Sequence, residues 1–413
     1  MPDLLPIFKK AYWSLAAAGA LYAIIILALL NPWLQRHALY AHRLHSGFWH
    51  DVDKPESFGF AKHQITPFNI STPDGETLYA WHVLPLNVYA KHRESLVSGH
   101  AGDLQEWRAA ILSRVTQDSP DATVVEDETE GSMKVKTKME NRDWESSHTV
   151  HGNAGHVGQG WRTDTYRLLT SLSNTHVLTV DYRGFGKSTG SPTESGLITD
   201  GIALVNWALH VAKIPPHRIT ILGQSLGTAV ASAVGLHFAN STSSLLPAER
   251  APTGISSPTV FAGIVLVAPF TSLPNLLLSY RIGGILPILS PLRPYPYLQN
   301  LVSSRIKDTW PTAERLVAYS KALSNDAGLL AAEEQGKEIG GLQILHALND
   351  GDISFRQSEM LFSRITGIGE GVRGASFKPA GSPRINLDIV EYGGERSSLS
   401  ILFGSNEKLT GSR

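Results

Sequence analysis

The alternation of apolar and polar positions changes character twice along the chain. Residues 11–30 read AYWSLAAAGALYAIIILALL, with no charge and no polar face. At helical rise such a run covers about 30 Å, the hydrocarbon core of a bilayer, so it predicts a transmembrane helix. Lys9 and Lys10 precede it, Tyr12 and Trp13 sit near one end and Trp33 beyond the other, as interfacial anchors do. A cleaved signal peptide is the rival. It would need a shorter apolar core and a small-residue cleavage site, which Asn31-Pro32-Trp33 does not offer. Arg36 and Arg43 balance Lys9 and Lys10, so the positive-inside rule leaves the orientation open.

A β-type pattern begins at residue 63. Residues 63–85, HQITPFNISTPDGETLYAWHVLP, predict a hairpin turning at Pro73-Asp74-Gly75. Regularity is lost from 91 to about 143. Within that stretch residues 118–141 are polar and mixed in charge, which predicts a disordered surface insertion. From 146 onward strands alternate with helices. Strands are predicted over 148–151, 175–182, the run from 219 that stops at Gly223, 262–268, 341–347 and 385–392, with helices over 163–173, 193–212 and after Ser225. This alternation predicts an α/β fold with a mostly parallel, doubly wound sheet covered on both faces. The expected organisation is a tail and membrane anchor (1–33), a juxtamembrane linker (34–62) and one α/β domain (63–413). Residues 276–298, LLLSYRIGGILPILSPLRPYPYL, are apolar and proline-rich, and suit either a lid that receives an acyl chain or a helix pair covering the sheet.

Composition removes several classes of function. The net charge of −1 gives no electrostatic case for nucleic acid. The absence of cysteine excludes disulfides, thiol nucleophiles and cysteine zinc sites. No metal and no cofactor are assigned. Gly186-Lys187-Ser188 hints at a phosphate loop, but that motif needs glycine five positions before Gly186, where Asp181 stands, so nucleotide binding is rejected.

The chemistry gathers at 219–228, ITILGQSLGT. A β-branched run stops at Gly223-Gln224-Ser225-Leu226-Gly227, and small helix-forming residues follow. A nucleophile elbow has this order: the serine stands on a strained strand-to-helix turn, with glycines where side chains would collide. Upstream, His151-Gly152-Asn153-Ala154-Gly155 follows a predicted strand, where such a fold places half of an oxyanion hole. Asn153 and Leu226 are the expected N–H donors. Downstream, HALNDGD at 346–352 follows another strand, and a triad acid belongs at a strand's C-terminal end. Asp350 is the choice and Asp352 the runner-up. His346 reads as a packed core histidine rather than a base.

HGNAG, DYRGFGKSTG, GQSLG and HALND, in that order behind one apolar segment, resemble the membrane-anchored α/β-hydrolase lipases of the monoacylglycerol and lysophosphatidylserine lipase type. The resemblance covers most of residues 60–395. It implies an α/β-hydrolase fold and a serine esterase with Ser225 as nucleophile, Asp350 as acid, and Asn153 and Leu226 as oxyanion donors. It further implies a single-chain glycerolipid or lysophospholipid substrate, and a membrane protein of the endoplasmic reticulum or another endomembrane with its catalytic domain on the lumenal or outer side. The sequons at Asn69 and Asn240 suit that side.

The chain departs from this family at its end. Where the family has a Gly-Gly-His-like turn, this sequence has Gly393-Gly394-Glu395-Arg396, and no histidine follows His346. A glutamate is ionised near neutral pH and too weak a base for serine. Three expectations stay open: a mispredicted or alternatively spliced end, a natural pseudoenzyme that binds a lipid or partner on the same scaffold, or substitution by another histidine such as His156.

Overall fold

The computed structural model describes residues 4–42, 51–98, 146–150, 156–160, 162–172, 174–248, 258–282, 286–287, 289–292, 294–324 and 326–390. The predicted insertion at 118–141, the loop 151–155 and Glu395 lie outside these residues.

The described residues form a nine-stranded sheet. The predicted hairpin is β1 (Ile65–Ser71) and β2 (Thr77–Val83), antiparallel with Ser71 opposite Thr77. Next come β3 (Ser146–Val150), β4 (His176–Val180), β5 (Ile219–Gln224) and β6 (Gly263–Val267). A two-stranded ribbon, β7 (Arg281–Ile282) and β8 (Leu286–Pro287), stands apart. The large sheet closes with β9 (Gly341–Ala347), β10 (Gly374–Phe377) and β11 (Ile385–Val390). Its order is β1-β2-β4-β3-β5-β6-β9-β11-β10. The six strands from β4 to β11 in that order run parallel, while β2 on β4 and β10 on β11 are antiparallel.

The parallel strands are apolar on both faces because both faces are covered. Ile219, Ile221, Ile264, Leu266, Leu342 and Ile344 point into the larger core, and Leu222, Val265, Val267 and Leu345 into the smaller one. Eleven helical segments wrap this sheet among the described residues: α1 (Leu4–Leu29), α2 (Pro32–Tyr40), α3 (Leu86–Ser98), α4 (Arg162–Ser171), α5 (Glu194–Asn206), α6 (Leu226–Ala239), α7 (Leu273–Ser279), α8 (Pro296–Ser303), α9 (Thr312–Leu323), α10 (Ala327–Glu334) and α11 (Arg356–Thr366). Every residue of α6 is buried, which explains why its sequence has no polar stripe. α6 packs on α5 and α9.

The N-terminal segment differs in kind. Along α1, Phe8, Tyr12, Trp13, Leu15, Leu21, Ile24 and Leu27 are exposed, while Tyr22 and Ile26, and Leu30 just beyond the helix, lean on the core. Among the described residues no helix is long and apolar enough to cross a membrane. Residues 34–62, expected as a linker, carry most of α2 and a short turn of helix at Pro55–Phe58. Asn31 caps α2 by accepting from the Trp33 and Leu34 N–H groups. Gln35 then fastens α2 at two points, its Nε2 donating to Arg305 O at 2.7 Å and its Oε1 accepting from Lys307 N at 3.1 Å. Tyr40 Oη donates to Asp308 at 2.7 Å and accepts from Trp310 Nε1 at 3.2 Å.

Candidate active site

Ser225 stands between the last residue of β5 and the first of α6, with φ +49° and ψ −120°. A serine in that region is strained, and the surroundings show what holds it there. Its N–H donates to Val267 O at 2.9 Å, and its carbonyl accepts from Thr228 N at 3.0 Å and Thr228 Oγ1 at 2.6 Å. A Cβ at Gly223 would lie 2.3 Å from Gly227 O, so strand and helix approach too closely there for any side chain. Ser225 occupies the N-cap position without capping: its side chain makes no bond to the helix N–H groups. The hydroxyl is thereby left for chemistry. The Leu226 N–H lies in the first turn of α6, where helical geometry supplies no acceptor.

Asp350 comes to the same edge of the sheet, three residues beyond β9. Its Oδ1 accepts from Asp352 N at 2.9 Å and Ile353 N at 2.8 Å, which fixes the carboxylate. Its Oδ2 is buried and has no hydrogen-bond partner among the described residues. A buried, unsatisfied carboxylate oxygen is costly and calls for a donor. β5 and β9 are separated by β6 alone, so Ser225 and Asp350 start about two strand spacings, roughly 10 Å, apart. A gap of that size accommodates an imidazole between the two side chains. Asp352 is exposed and contributes its N–H to Asp350.

His346 is fully buried, with Nε2 2.9 Å from Ile353 O and Nδ1 2.7 Å from Ser358 Oγ. With Nε2–H donating to the carbonyl, the Ser358 hydroxyl donates to Nδ1. Nε2 is also 3.5 Å from Asp350 Oδ2. Both ring nitrogens are thus engaged in holding the turn around Asp350. His156 is buried, its Nδ1 accepting from Gly158 N at 3.2 Å.

Two candidates, Asn153 and Glu395, lie outside the described residues, but the strands that lead to them do not. β3 ends at Val150, paired with Gly223 of the elbow. β11 ends at Val390, whose carbonyl accepts from Leu348 N at 2.8 Å, two residues from Asp350.

The turn DYRGFG, from which a phosphate loop is excluded by its sequence, has a buried carboxylate at its centre that the sequence does not disclose. Asp181 is fully buried, accepting from Val157 N at 2.6 Å through Oδ1 and from Lys187 N at 3.1 Å through Oδ2. It ties Val157, ahead of α4, to the turn after β4. Burial pushes its carboxyl up to about 7, against the lowering effect of those two N–H donors. Gly186, at φ +49°, is held to glycine because a Cβ would lie 1.9 Å from Asp181 Oδ2. Lys187 ion-pairs with Asp53 and lies 5.5 Å from the Tyr79 ring centre. The neighbouring Arg183 binds Asp200 at 2.8 Å and Asp74 at 2.6 Å, fastening the hairpin turn to the sheet. Two glycines, Gly184 and Gly186, close behind a strand-end aspartate were the available signal.

The sheet order with Ser225 on a strained strand-to-helix turn is that of an α/β-hydrolase fold, and the alpha/beta hydrolase family model matches residues 149–351, just under half of the chain. The chain's relatives are the ABHD12 lysophosphatidylserine lipases and protein ABHD12B. It is 28% identical to lysophosphatidylserine lipase ABHD12 of Danio rerio over 218 residues, 52% of this chain and 45% of that protein. It is 25% identical to the Macaca fascicularis protein of the same name over 84% of this chain and 67% of that one. It is 34% identical to protein ABHD12B of Homo sapiens over 42% of each. The chain spans about half the length of most of these relatives. The crystal structure of an alpha-beta hydrolase from Vibrio vulnificus shares the fold, with a TM-score of 0.51, 13% identity and coverage of 90% of this chain and 89% of that one.

Proposed function

We propose that this hydrolase is a membrane-associated serine esterase that cleaves the acyl ester of a single-chain lipid, a lysophospholipid or monoacylglycerol, through an acyl-enzyme on Ser225. The observation that carries the reading is the Ser225 hydroxyl, not used as a helix cap on its strained apex, at the same sheet edge as a buried Asp350 oxygen without a hydrogen-bond partner among the described residues. In this mechanism Ser225 Oγ bonds to the ester carbonyl carbon as its proton passes to a base aligned by Asp350, for which His156 is the candidate within this sequence. The carbonyl oxygen becomes an oxyanion facing the Leu226 N–H, with Asn153 as the second donor. The C–O bond breaks and the alcohol leaves with that proton. Water then hydrolyses the acyl-serine by the same steps in reverse. The ABHD12 relatives named as lysophosphatidylserine lipases support the lipid class.

The exposed apolar length of α1 supports membrane association, with the anchor at 11–30 and the catalytic domain on the lumenal side of an endomembrane. Asn69 and Asn240 are both exposed, as glycosylated sequons there would be. Carbonate extraction checks this: the full-length chain stays in the pellet, and its release rejects the anchor.

Glu395, standing where the resembling family has histidine, favours a second reading, a catalytically impaired lipid or partner binder on the same scaffold. One experiment separates the two. A fluorophosphonate probe labels the full-length chain and fails to label Ser225→Ala if the serine is activated. Absence of labelling in the folded wild-type chain selects the binder. Turnover of lysophosphatidylserine against monoacylglycerol by the labelled chain then assigns the head group.

A further inference from the structure

Outside α1, exposed large apolar side chains are mostly isolated, as on any soluble surface. Tyr295, Tyr297, Leu298 and Leu301 are the exception. The last three fall at i, i+1 and i+4 of α8, so they share one face, while Val302 points into the core. Tyr297 is 79% exposed, a degree unusual for an aromatic on a fixed helix. α8 reads PYLQNLVS and carries no charge. Just beyond it, Arg305 and Lys307 are exposed and make no ion pair among the described residues.

This patch is coupled to the N-terminal helices. Gln35 of α2 binds Arg305 O and Lys307 N, on the strand of chain that leaves α8. Trp33 and Leu34, one or two residues before Gln35, are also exposed. α1 leads directly into α2 through Asn31. Gln35 therefore fixes α2, with the exposed Trp33 and Leu34 beside it in sequence, against the chain that leaves α8. Tyrosine and tryptophan above an apolar face, with cations at the rim, match the chemistry of a bilayer interface that carries anionic headgroups.

We propose that the exposed face of α8, with Trp33, Leu34, Arg305 and Lys307, is an interfacial surface that seats on an anionic lipid bilayer, and that Gln35 holds it in register with α1. The proposal rests on the membrane association proposed above and adds a second, non-spanning contact. α8 belongs to the segment that leaves the C-terminal end of β6, the sheet edge that also bears Ser225 and Asp350. Seating there turns the catalytic edge toward the lipid that supplies the substrate.

The chain has no cysteine, so single thiols can be introduced and labelled in the full-length protein. Leu301→Cys, Ile24→Cys and Lys337→Cys are labelled with an environment-sensitive fluorophore and reconstituted into phosphatidylcholine vesicles, with or without phosphatidylserine, containing a doxyl-lipid quencher. Lys337 is exposed at the start of β9, on the opposite sheet edge. The label at 301 is expected to be quenched about twofold more than that at 337, as befits a group seated at the headgroup–acyl boundary. Phosphatidylserine strengthens that difference through Arg305 and Lys307. Gln35→Ala reduces quenching at 301 and leaves that at 24 unchanged. Equal quenching at 301 and 337, with 24 still quenched, overturns the surface while sparing the anchor. Quenching at 301 that follows protein density rather than quencher lipid means that a second copy covers the face, and also overturns it. Indifference to phosphatidylserine overturns the headgroup component, and indifference to Gln35→Ala overturns the latch. Fluorophosphonate labelling in the same vesicles reports separately on the hydrolase reading.

Discussion

The elbow at Ser225 and the turn after β4 are both tight, and both depend on a glycine, but for opposite reasons. At the elbow Gly223 faces the Gly227 carbonyl, so the restraint is backbone against backbone. At the turn Gly186 faces the carboxylate of Asp181, which is itself held by two N–H donors. The first restraint is steric and indifferent to pH. The second is made by a titratable group that burial has moved up to about 7. The nucleophile is therefore positioned by packing, whereas Val157 and the turn after β4 are held together by a titratable carboxyl.

The largest expected effect is on chemistry. Ser225→Ala should abolish ester hydrolysis while leaving the melting temperature unchanged or higher, because one oxygen leaves a strained apex. Unchanged turnover in the purified variant would sink the assignment. Asp350→Asn should lower turnover by about 10²–10⁴-fold, since an amide at Oδ2 no longer aligns a base or stabilises its charged form. Initial rates on a short activated ester would show this.

Stability variants test the comparison itself. Gly223→Ala should cost on the order of 4 kcal/mol, because the clashing atom is backbone and cannot be rotated away. Gly186→Ala should cost less, about 2–3 kcal/mol, because the carboxylate in its way belongs to a side chain. Denaturant titrations giving the reverse order would break the distinction.

The smallest effect concerns pH. A carboxyl raised in the folded state binds its proton more tightly there than when unfolded. Between about pH 4 and pH 7 the folded chain thus holds a proton that the unfolded chain has lost, and Asp181 makes stability fall as pH rises through that window. Asp181→Asn, which mimics the protonated form, should flatten this part of the melting-temperature profile. Parallel profiles for wild type and variant would refute it.

What the sequence disclosed follows the range of its signals. The GQSLG elbow is local, and its strand, apex and helix fall where the pattern puts them. The parallel strands were legible because burial on both faces leaves runs such as GIVLV without polar breaks. β3 was displaced by two residues at its start, since SSHTV mixes polar and branched positions. β10, GASF, is a four-residue edge strand with no periodicity to read. α2 was read as linker because its fixing residues, Gln35 and Tyr40, act on partners some 270 positions away. The role of Asp181 was hidden for the same reason: it joins residues 157, 181 and 187, which only the fold assembles.

The sheet order also constrains how the chain is made. β3 lies between β4 and β5, both of which follow it in sequence. On a ribosome β3 therefore emerges with neither neighbour present, gains β4 first, and keeps its other edge open until residue 224 has been synthesised. Its second edge closes when β5 docks, one residue before Ser225. The same docking event that ends the aggregation hazard of an open strand creates the nucleophile turn. A nascent chain halted before β5 has only one edge of β3 covered, so ribosome stalling upstream of residue 219 should leave it more dependent on chaperones than stalling after α6.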